Sequence, residues 1–189
     1  MHNKIRCCMP RLCAKDSERG ELLSEHGMSI ETMIIGIDQS YKSTGVATLR
    51  DDGVLLDVRC IKGDDMSDET GICISRALSE IVSGCDAEDS SIAIEMHSVS
   101  SSYSTTARKL AELAGMIKYA LRNYRVVEVP MSSWKSKIAK NRLRGINKTT
   151  KAGKTQYLDI VQELTGYAFG STDEADGYMI AEYARRHML

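Results

Sequence analysis

Residues 33–53 read MIIGIDQSYKSTGVATLRDDG, an apolar run that ends at Asp38 and continues into a segment of small, polar and apolar residues. The run at 33–38 predicts a buried strand, and a second strand is predicted at about 45–50. Asp51, Asp52 and Gly53 then predict a hairpin turn into a third strand at about 54–61. The sequence therefore predicts three antiparallel strands at the start of the folded part of the chain.

Helical and strand patterns alternate beyond this point. We predict helices at about 69–83, 105–122, 154–165 and 173–187, and strands at about 91–96 and 125–129. Strands that alternate with helices require crossover connections. The sequence therefore predicts an α/β fold with a central mixed five-stranded sheet flanked by helices.

Length and composition indicate one folded domain. The chain has 189 residues, 42% of them hydrophobic and 27% charged, and we place a single domain at residues 33–189. Residues 1–32 mix charges and cysteines without a sustained period, so we predict a flexible N-terminal extension. No run approaches the roughly 18 to 20 apolar residues of a membrane helix, and we expect no membrane partner and a cytoplasmic location. The six cysteines lack paired C-x-x-C spacing, which favours reduced thiols.

Acidic residues end apolar strands at two distant places. Asp38 follows Ile34–Ile37, and Glu95 follows Ile92–Ile94. A buried carboxylate is costly unless it is paired or bound to a cation. Asp173 and Asp176 lie three apart at a predicted helix start and share one helix face, which would let all of these acids meet. Oxygen ligands of this kind select Mg²⁺, with Mn²⁺ possible, and two ions per site match the arrangement of a two-metal nuclease.

Each acid also has a simpler interpretation. Asp173 and Asp176 are favourable at any helix N-terminus, and Glu95 could end its strand near water. The four residues together fit one metal site better than four unrelated explanations.

Basic charge is concentrated in one segment. The net charge is only −1, but residues 131–154 contain eight Lys or Arg and no Asp or Glu. Such a segment predicts phosphate binding, and the alternative is a solvated surface loop. The DNA-binding candidates are Lys135, Lys137, Lys140, Arg142, Arg144, Lys148, Lys151 and Lys154.

The ordered set of these segments resembles the RuvC family of Holliday junction resolvases, in particular its phage-type members. The resemblance rests on residues 36–47, on 92–95, on Val129-Pro130 followed by Lys135 and Lys137, and on 173–177. It implies an RNase H-like fold and a homodimer that binds branched DNA, without a small-molecule cofactor. It also implies DNA recombination or repair in a bacterial or phage-infected cell, with 5′-phosphate and 3′-hydroxyl products.

The resemblance implies that Asp38, Glu95, Asp173 and Asp176 are the catalytic metal ligands. Asp38-Gln39-Ser40 replaces the Asp-Pro-Gly of bacterial members, and His97 follows Met96 where those members carry a junction-wedging aromatic residue. Tyr103 is a candidate replacement. Junction selectivity is therefore open, and a ribonuclease acting on RNA–DNA hybrids is the alternative function.

The other notable residues have simpler interpretations, and two other protein classes fit the sequence less well. His97 is more simply a surface or hydrogen-bonded residue than a catalytic one, and Trp134 is more simply a packing anchor than a base-stacking platform. Tyrosines 157, 178 and 183 are interpreted as core. An actin-like kinase would need a second domain, and a non-catalytic DNA-binding protein would not need the acids.

Overall fold

A computed structural model describes residues 32–96, 104–140 and 142–189. The elements in chain order are β1 Met33–Asp38, β2 Ser43–Arg50, β3 Leu55–Lys62, α1 Asp68–Val82, β4 Ser90–Met96, α2 Thr105–Ala120, β5 Arg125–Pro130, α3 Met131–Lys137, α4 Lys151–Thr165 and α5 Thr172–His187. The strands form one sheet in the order β3-β2-β1-β4-β5. The predicted mixed five-stranded sheet flanked by helices is confirmed.

Strand β1 lies at the centre of the sheet and combines both kinds of pairing. It is antiparallel to β2, which is in turn antiparallel to β3, so the predicted opening meander is confirmed. On its other side β1 is parallel to β4, and β4 is parallel to β5. Because β1 and β4 are parallel neighbours, their carboxyl ends meet at the same edge of the sheet.

The sheet is covered on both faces. Successive side chains of a strand point to opposite faces, so Ile35 and Ile37 face one layer while Ile34 faces the other. One apolar cluster joins Ile35 and Ile37 to residues of α1 and α2, namely Ile74, Leu78, Leu113 and Ile117. The second cluster joins Ile34 to residues of α3, α4 and α5, including Trp134, Tyr157, Val161, Ala175 and Met179. The fold is thus a three-layer arrangement with the sheet in the middle.

The helix boundaries follow from their caps. The side chains of Ser67, Ser104 and Thr150 cap α1, α2 and α4, and Gly166 ends α4 in the left-handed conformation. Helix α4 begins at Lys151 and not near residue 154 as predicted, because Thr150 accepts a hydrogen bond from the backbone of Gly153. Helix α3 was not predicted, since its seven residues MSSWKSK have no apolar repeat at helical spacing.

Helix α5 lies against the backbone of the two central strands. A Cβ atom built on Gly36 would lie 2.1 Å from the carbonyl oxygen of Gly177, and one built on Gly45 would lie 1.9 Å from the carbonyl oxygen of Asp173. Neither strand position leaves room for a side chain. These two glycines therefore set the distance between the sheet and the start of α5.

Several predictions concern residues outside the described ranges. Residues 1–31, His97 and Tyr103 are among them, so the N-terminal extension and the wedge candidate stay predictions. Within the described ranges Cys60, Cys73 and Cys85 are free thiols, as expected. None of the helices described combines the length and the apolar character needed to cross a membrane.

Replacing Gly36 with alanine should lower the free energy of unfolding by about 3 kcal/mol, because its Cβ has no space against the backbone of α5. Urea denaturation followed by circular dichroism measures this change. The matched control is Gly115→Ala in α2, where a Cβ meets nothing within 4 Å and a helical alanine should add roughly 0.5–1 kcal/mol. A Gly36→Ala protein as stable as the wild type would contradict the close packing of α5 on β1.

Candidate active site

Asp38 and Glu95 lie side by side at the carboxyl edge of the sheet. Ile37 pairs with Ile94 in the parallel β1–β4 ladder, which places the next residue of each strand at the same level. The amide of Gln39 donates a hydrogen bond of 3.2 Å to the backbone oxygen of Glu95 and ties the two strand ends together. Glu95 is 8% exposed, and Asp38 is half-buried. The predicted meeting of these two strand ends is confirmed.

The first turn of α5 brings two further carboxylates to this edge. Ser171 and Glu174 form a capping box that fixes the start of the helix. Asp173 lies over Gly45 of β2 and accepts a hydrogen bond from the hydroxyl of Ser43. Asp176, one turn further along, is 3% exposed. The strands and α5 therefore bring four acidic side chains to the same edge of the sheet.

The pKa of Asp38 reflects its burial and the charges of the neighbouring acids. Burial raises the pKa of Asp38 well above its ordinary value, and the carboxylates of Asp176 and Glu95 raise it further. Asp173 acts in the same direction, and the Lys148 ammonium opposes it. An ionised Asp38 is thus disfavoured unless more positive charge arrives. The cluster has the electrostatic signature of a cation site.

Lys148 of the basic segment lies inside this cluster. Its Nζ is 2.5 Å from Oδ2 of Asp176, and it lies 4.7 Å from the centre of the Tyr157 ring. Burial lowers the pKa of Lys148, but Asp176, Asp38 and Asp173 outweigh burial and raise it, so the side chain is a cation. Lys148 therefore compensates part of the acidic charge.

Neutral donors hold individual carboxylates. The hydroxyl of Tyr157 donates to Oδ1 of Asp176, and the indole N–H of Trp134 donates to Oε1 of Glu95 at 3.1 Å. Burial, followed by the charge of Asp176, raises the pKa of Tyr157, so its hydroxyl keeps its proton and acts as a donor. Burial also raises the pKa of Asp176, against the lowering effects of Lys148 and Tyr157. The acids are thus oriented by side chains from β2, α3 and α4.

The donor set fits a hard divalent cation in its chemistry. Carboxylate oxygens are the ligands that Mg²⁺ and Mn²⁺ prefer, and four of them on rigid elements supply enough negative charge for two ions. Among the described residues, however, no three His, Cys, Asp or Glu side chains stand in a geometry that could hold an ion as they are. In this conformation the Lys148 ammonium is paired with the carboxylate of Asp176.

The eight basic candidates divide into distinct groups. Lys148 contacts the acids, and Arg142 forms an ion pair with Glu163 of α4. Lys135 is half-buried, with its Nζ 5.0 Å from the centre of the Trp134 ring, and its charge lowers the pKa of Asp176. The remaining candidates are exposed and lie along α3, the following loop and the start of α4: Lys137, Lys140, Arg144, Lys151 and Lys154.

Sequence reasoning missed part of the site. It included Lys148 among eight cations of which Lys135 and Lys154 were favoured, and it interpreted Trp134 and Tyr157 as packing residues. Both aromatic side chains are indeed buried, but each also donates a hydrogen bond to an acid. The available signal was the polar group at the tip of each ring, because a buried indole N–H or phenol hydroxyl needs a partner.

Comparisons with known proteins support the fold. No protein-family model matches the sequence, and no curated protein matches it. The structure of Thermus thermophilus RuvC is similar at 17% identity and a TM-score of 0.58, covering 82% of this chain and 96% of that one. T. thermophilus RuvC in complex with a Holliday junction substrate is similar at 16% identity and a TM-score of 0.62, covering 83% and 97%.

A third structure is more distant. The large terminase nuclease from thermophilic phage G20c matches at 15% identity and a TM-score of 0.40, covering 80% of this chain and 81% of that chain, which is too low to bear on the fold. The likeness to T. thermophilus RuvC extends over nearly the whole of that protein, and its sequence identity is low enough that it speaks for architecture alone. The chain has an RNase H-like fold.

Proposed function

We propose that this chain is a structure-selective DNA endonuclease of the RuvC type. It resolves four-way or branched DNA junctions by Mg²⁺-dependent phosphodiester hydrolysis and leaves 5′-phosphate and 3′-hydroxyl ends. The substrate class is supported by the likeness to T. thermophilus RuvC, which has been solved in complex with a Holliday junction substrate. Such an enzyme would act in the cytoplasm of a bacterial or phage-infected cell, where its DNA lies.

One observation carries the proposal. Carboxylates from β1, β4 and α5 lie at one edge of the sheet, and burial together with the charges of Asp176, Glu95 and Asp173 raises the pKa of Asp38. A structural role would not require so much like charge at one edge of the sheet, because each added acid raises the cost of ionising the others. Divalent cations offset that cost, and perturbed acids grouped in this way are typical of catalytic sites.

The site residues have separate tasks in this mechanism. Asp38, Glu95, Asp173 and Asp176 would hold the metal ions. When bound, two Mg²⁺ ions supply the Lewis-acid chemistry that activates the attacking water and stabilises the charge on the phosphate and on the leaving 3′ oxygen. Ser43, Trp134 and Tyr157 fix the directions of three of the acids through hydrogen bonds. Lys148 can turn from Asp176 towards an incoming phosphate, since its side chain is one-third exposed.

The basic segment would bind the DNA backbone next to the acids. Lys137, Lys140, Arg144, Lys151 and Lys154 are exposed, and none of them forms an ion pair with an acid of the described chain. Such cations release counterions from DNA on binding and favour association. A homodimer fits this function, because cutting both strands of a junction symmetrically needs two sites.

The function is tested by incubating the purified protein with Mg²⁺ and three labelled substrates: an immobile four-way DNA junction, linear DNA duplex and an RNA–DNA hybrid. We expect paired nicks in the junction with 5′-phosphate ends. Cleavage of the hybrid alone would assign the chain to the ribonucleases. Cleavage of the linear duplex at an equal rate would overturn structure selectivity.

Replacing Asp38 by Asn or Glu95 by Gln should slow junction cleavage by on the order of 10³-fold or more, because a metal ligand is lost at the reacting phosphate. Junction binding, measured by gel shift in Ca²⁺, should persist or tighten since a charge that repels DNA is removed. The control is Glu80→Gln, an exposed acid of α1. Undiminished cleavage by Asp38→Asn would refute the assigned site.

Replacing Lys135 or Lys154 with alanine should weaken junction binding and reduce the slope of log K against log salt by about 1, as expected for the loss of one phosphate contact. Fluorescence anisotropy across a salt series gives both quantities. The matched control is Lys118→Ala in α2, which pairs with Glu128 of β5 instead of joining the basic segment. Equal slopes in all four proteins would identify the segment as an ordinary solvated surface.

Asp38→Asn should also stabilise the metal-free domain at neutral pH. The pKa of Asp38 is raised in the fold, so the folded state loses stability as pH rises from the ordinary value towards that raised pKa, and asparagine removes this loss. The difference should shrink as pH falls through the ordinary pKa of an aspartate and vanish below about pH 3, where the carboxyl is protonated in both states. Urea denaturation in EDTA from about pH 3 to 8 measures it, and a less stable Asp38→Asn protein at neutral pH would contradict the electrostatic assignment.

A further inference from the structure

Trp134 joins α3 to the acidic cluster in an unusual way. It is the only tryptophan of the chain and is 1% exposed. Its indole N–H donates to Oε1 of Glu95 across 39 residues of sequence. Leucine and phenylalanine are smaller and carry no N–H donor, so neither could make this hydrogen bond. The N–H group has a specific partner, and that partner is an acid of the site.

The indole lies next to Glu95 because α3 directly follows β5, the strand paired with β4. Glu95 pairs with Val129 in the β4–β5 ladder, and α3 starts immediately after Pro130. Trp134 therefore lies on the first full turn beyond the strand that flanks Glu95. The backbone of Glu95 is held as well, since its carbonyl accepts a hydrogen bond from the Gln39 amide. The hydrogen bond from the indole contacts the carboxylate itself, which the bond from Gln39 to the backbone does not orient.

Lys135 lies over the face of the same indole ring. Its Nζ is 5.0 Å from the centre of the Trp134 ring, and its positive charge is favourable over the ring face. The ring thus connects a candidate DNA-binding cation to a carboxylate of the acidic cluster. An aliphatic side chain here would disturb Glu95 and Lys135 together, whereas phenylalanine keeps an aromatic face for Lys135 and removes the donor to Glu95.

We propose that Trp134 is a positioning residue that fixes the Glu95 carboxylate for metal binding. This inference rests on the proposed function, since it takes Glu95 as a metal ligand. Side chains that orient metal ligands through hydrogen bonds typically contribute 10- to 100-fold to metal affinity. Loss of the indole N–H removes one contact that orients the carboxylate and weakens Mg²⁺ binding by about that factor.

The first test compares the Mg²⁺ affinity of the wild type with that of Trp134→Phe by isothermal titration calorimetry without DNA. We expect roughly 10-fold weaker binding by the variant. The matched control is Tyr124→Phe. Tyr124 directly precedes β5, at the end of the strand away from α3, and its hydroxyl donates to the backbone oxygen of Val82. Deleting this hydroxyl should leave the Mg²⁺ affinity unchanged. Unchanged affinity in Trp134→Phe would overturn the positioning role, and an equal loss in Tyr124→Phe would reduce it to general packing.

A second test requires no change at Trp134. Because the chain has a single tryptophan, its emission reports directly on the indole next to Glu95. Titrating the wild type with Mg²⁺ should give a saturable change in emission, at the concentrations seen by calorimetry. The change should disappear in Glu95→Gln. If calorimetry shows Mg²⁺ binding and the tryptophan emission does not change, the inference is overturned. This holds even if Trp134→Phe fails to fold.

The outcomes separate this inference from the proposed function. Junction cleavage by the wild type together with normal Mg²⁺ affinity in Trp134→Phe would remove the role of Trp134 and leave the nuclease standing. A wild type that neither binds Mg²⁺ nor cuts DNA would remove both.

Discussion

Helix α5 rests on the bare backbone of β1 and β2, and the positions of all four carboxylates depend on that contact. Gly36 and Gly45 leave the space into which the helix settles, and Gly177 faces them from the helix side. A side chain at either strand position would clash with the backbone of α5 and push the helix outwards. The two acids of α5 would then lie farther from Asp38. The close packing of α5 and the grouping of the acids therefore have one structural cause.

The acidic cluster is tolerated because its neighbours compensate it in different ways. Lys148 provides a full positive charge at Asp176, while Ser43, Trp134 and Tyr157 provide hydrogen bonds without charge. Neutral donors orient a carboxylate and leave most of its charge available to a cation. A second lysine in their place would have cancelled more of the negative charge of the cluster. The mixture of one cation and several neutral donors therefore keeps the site acidic.

The sequence predicts the framework well because the framework depends on local patterns. Apolar runs mark β1 and β4, and the acids that end them stand out because few strands tolerate a buried carboxylate. The arrangement of the sheet followed from strand and helix order. Helix α3 escaped prediction because seven residues are too few to show a period, and the start of α4 was misplaced because its cap is a side-chain bond of Thr150. Lys148 differs from its neighbours only through a tertiary contact with Asp176, which no local pattern encodes.

The order of elements along the chain has a consequence for synthesis. Ser43 and Asp173 are 130 residues apart, yet they share a hydrogen bond, and the last helix of the described chain packs on its first strand. At about 5–20 residues per second, a ribosome spends several seconds between making β1 and making α5. During that time the nascent chain has Asp38 and Glu95 but neither acid of α5. Any nuclease activity that needs all four acids would therefore begin only after α5 has left the ribosome, and products terminated before α5 would lack two of the four acids.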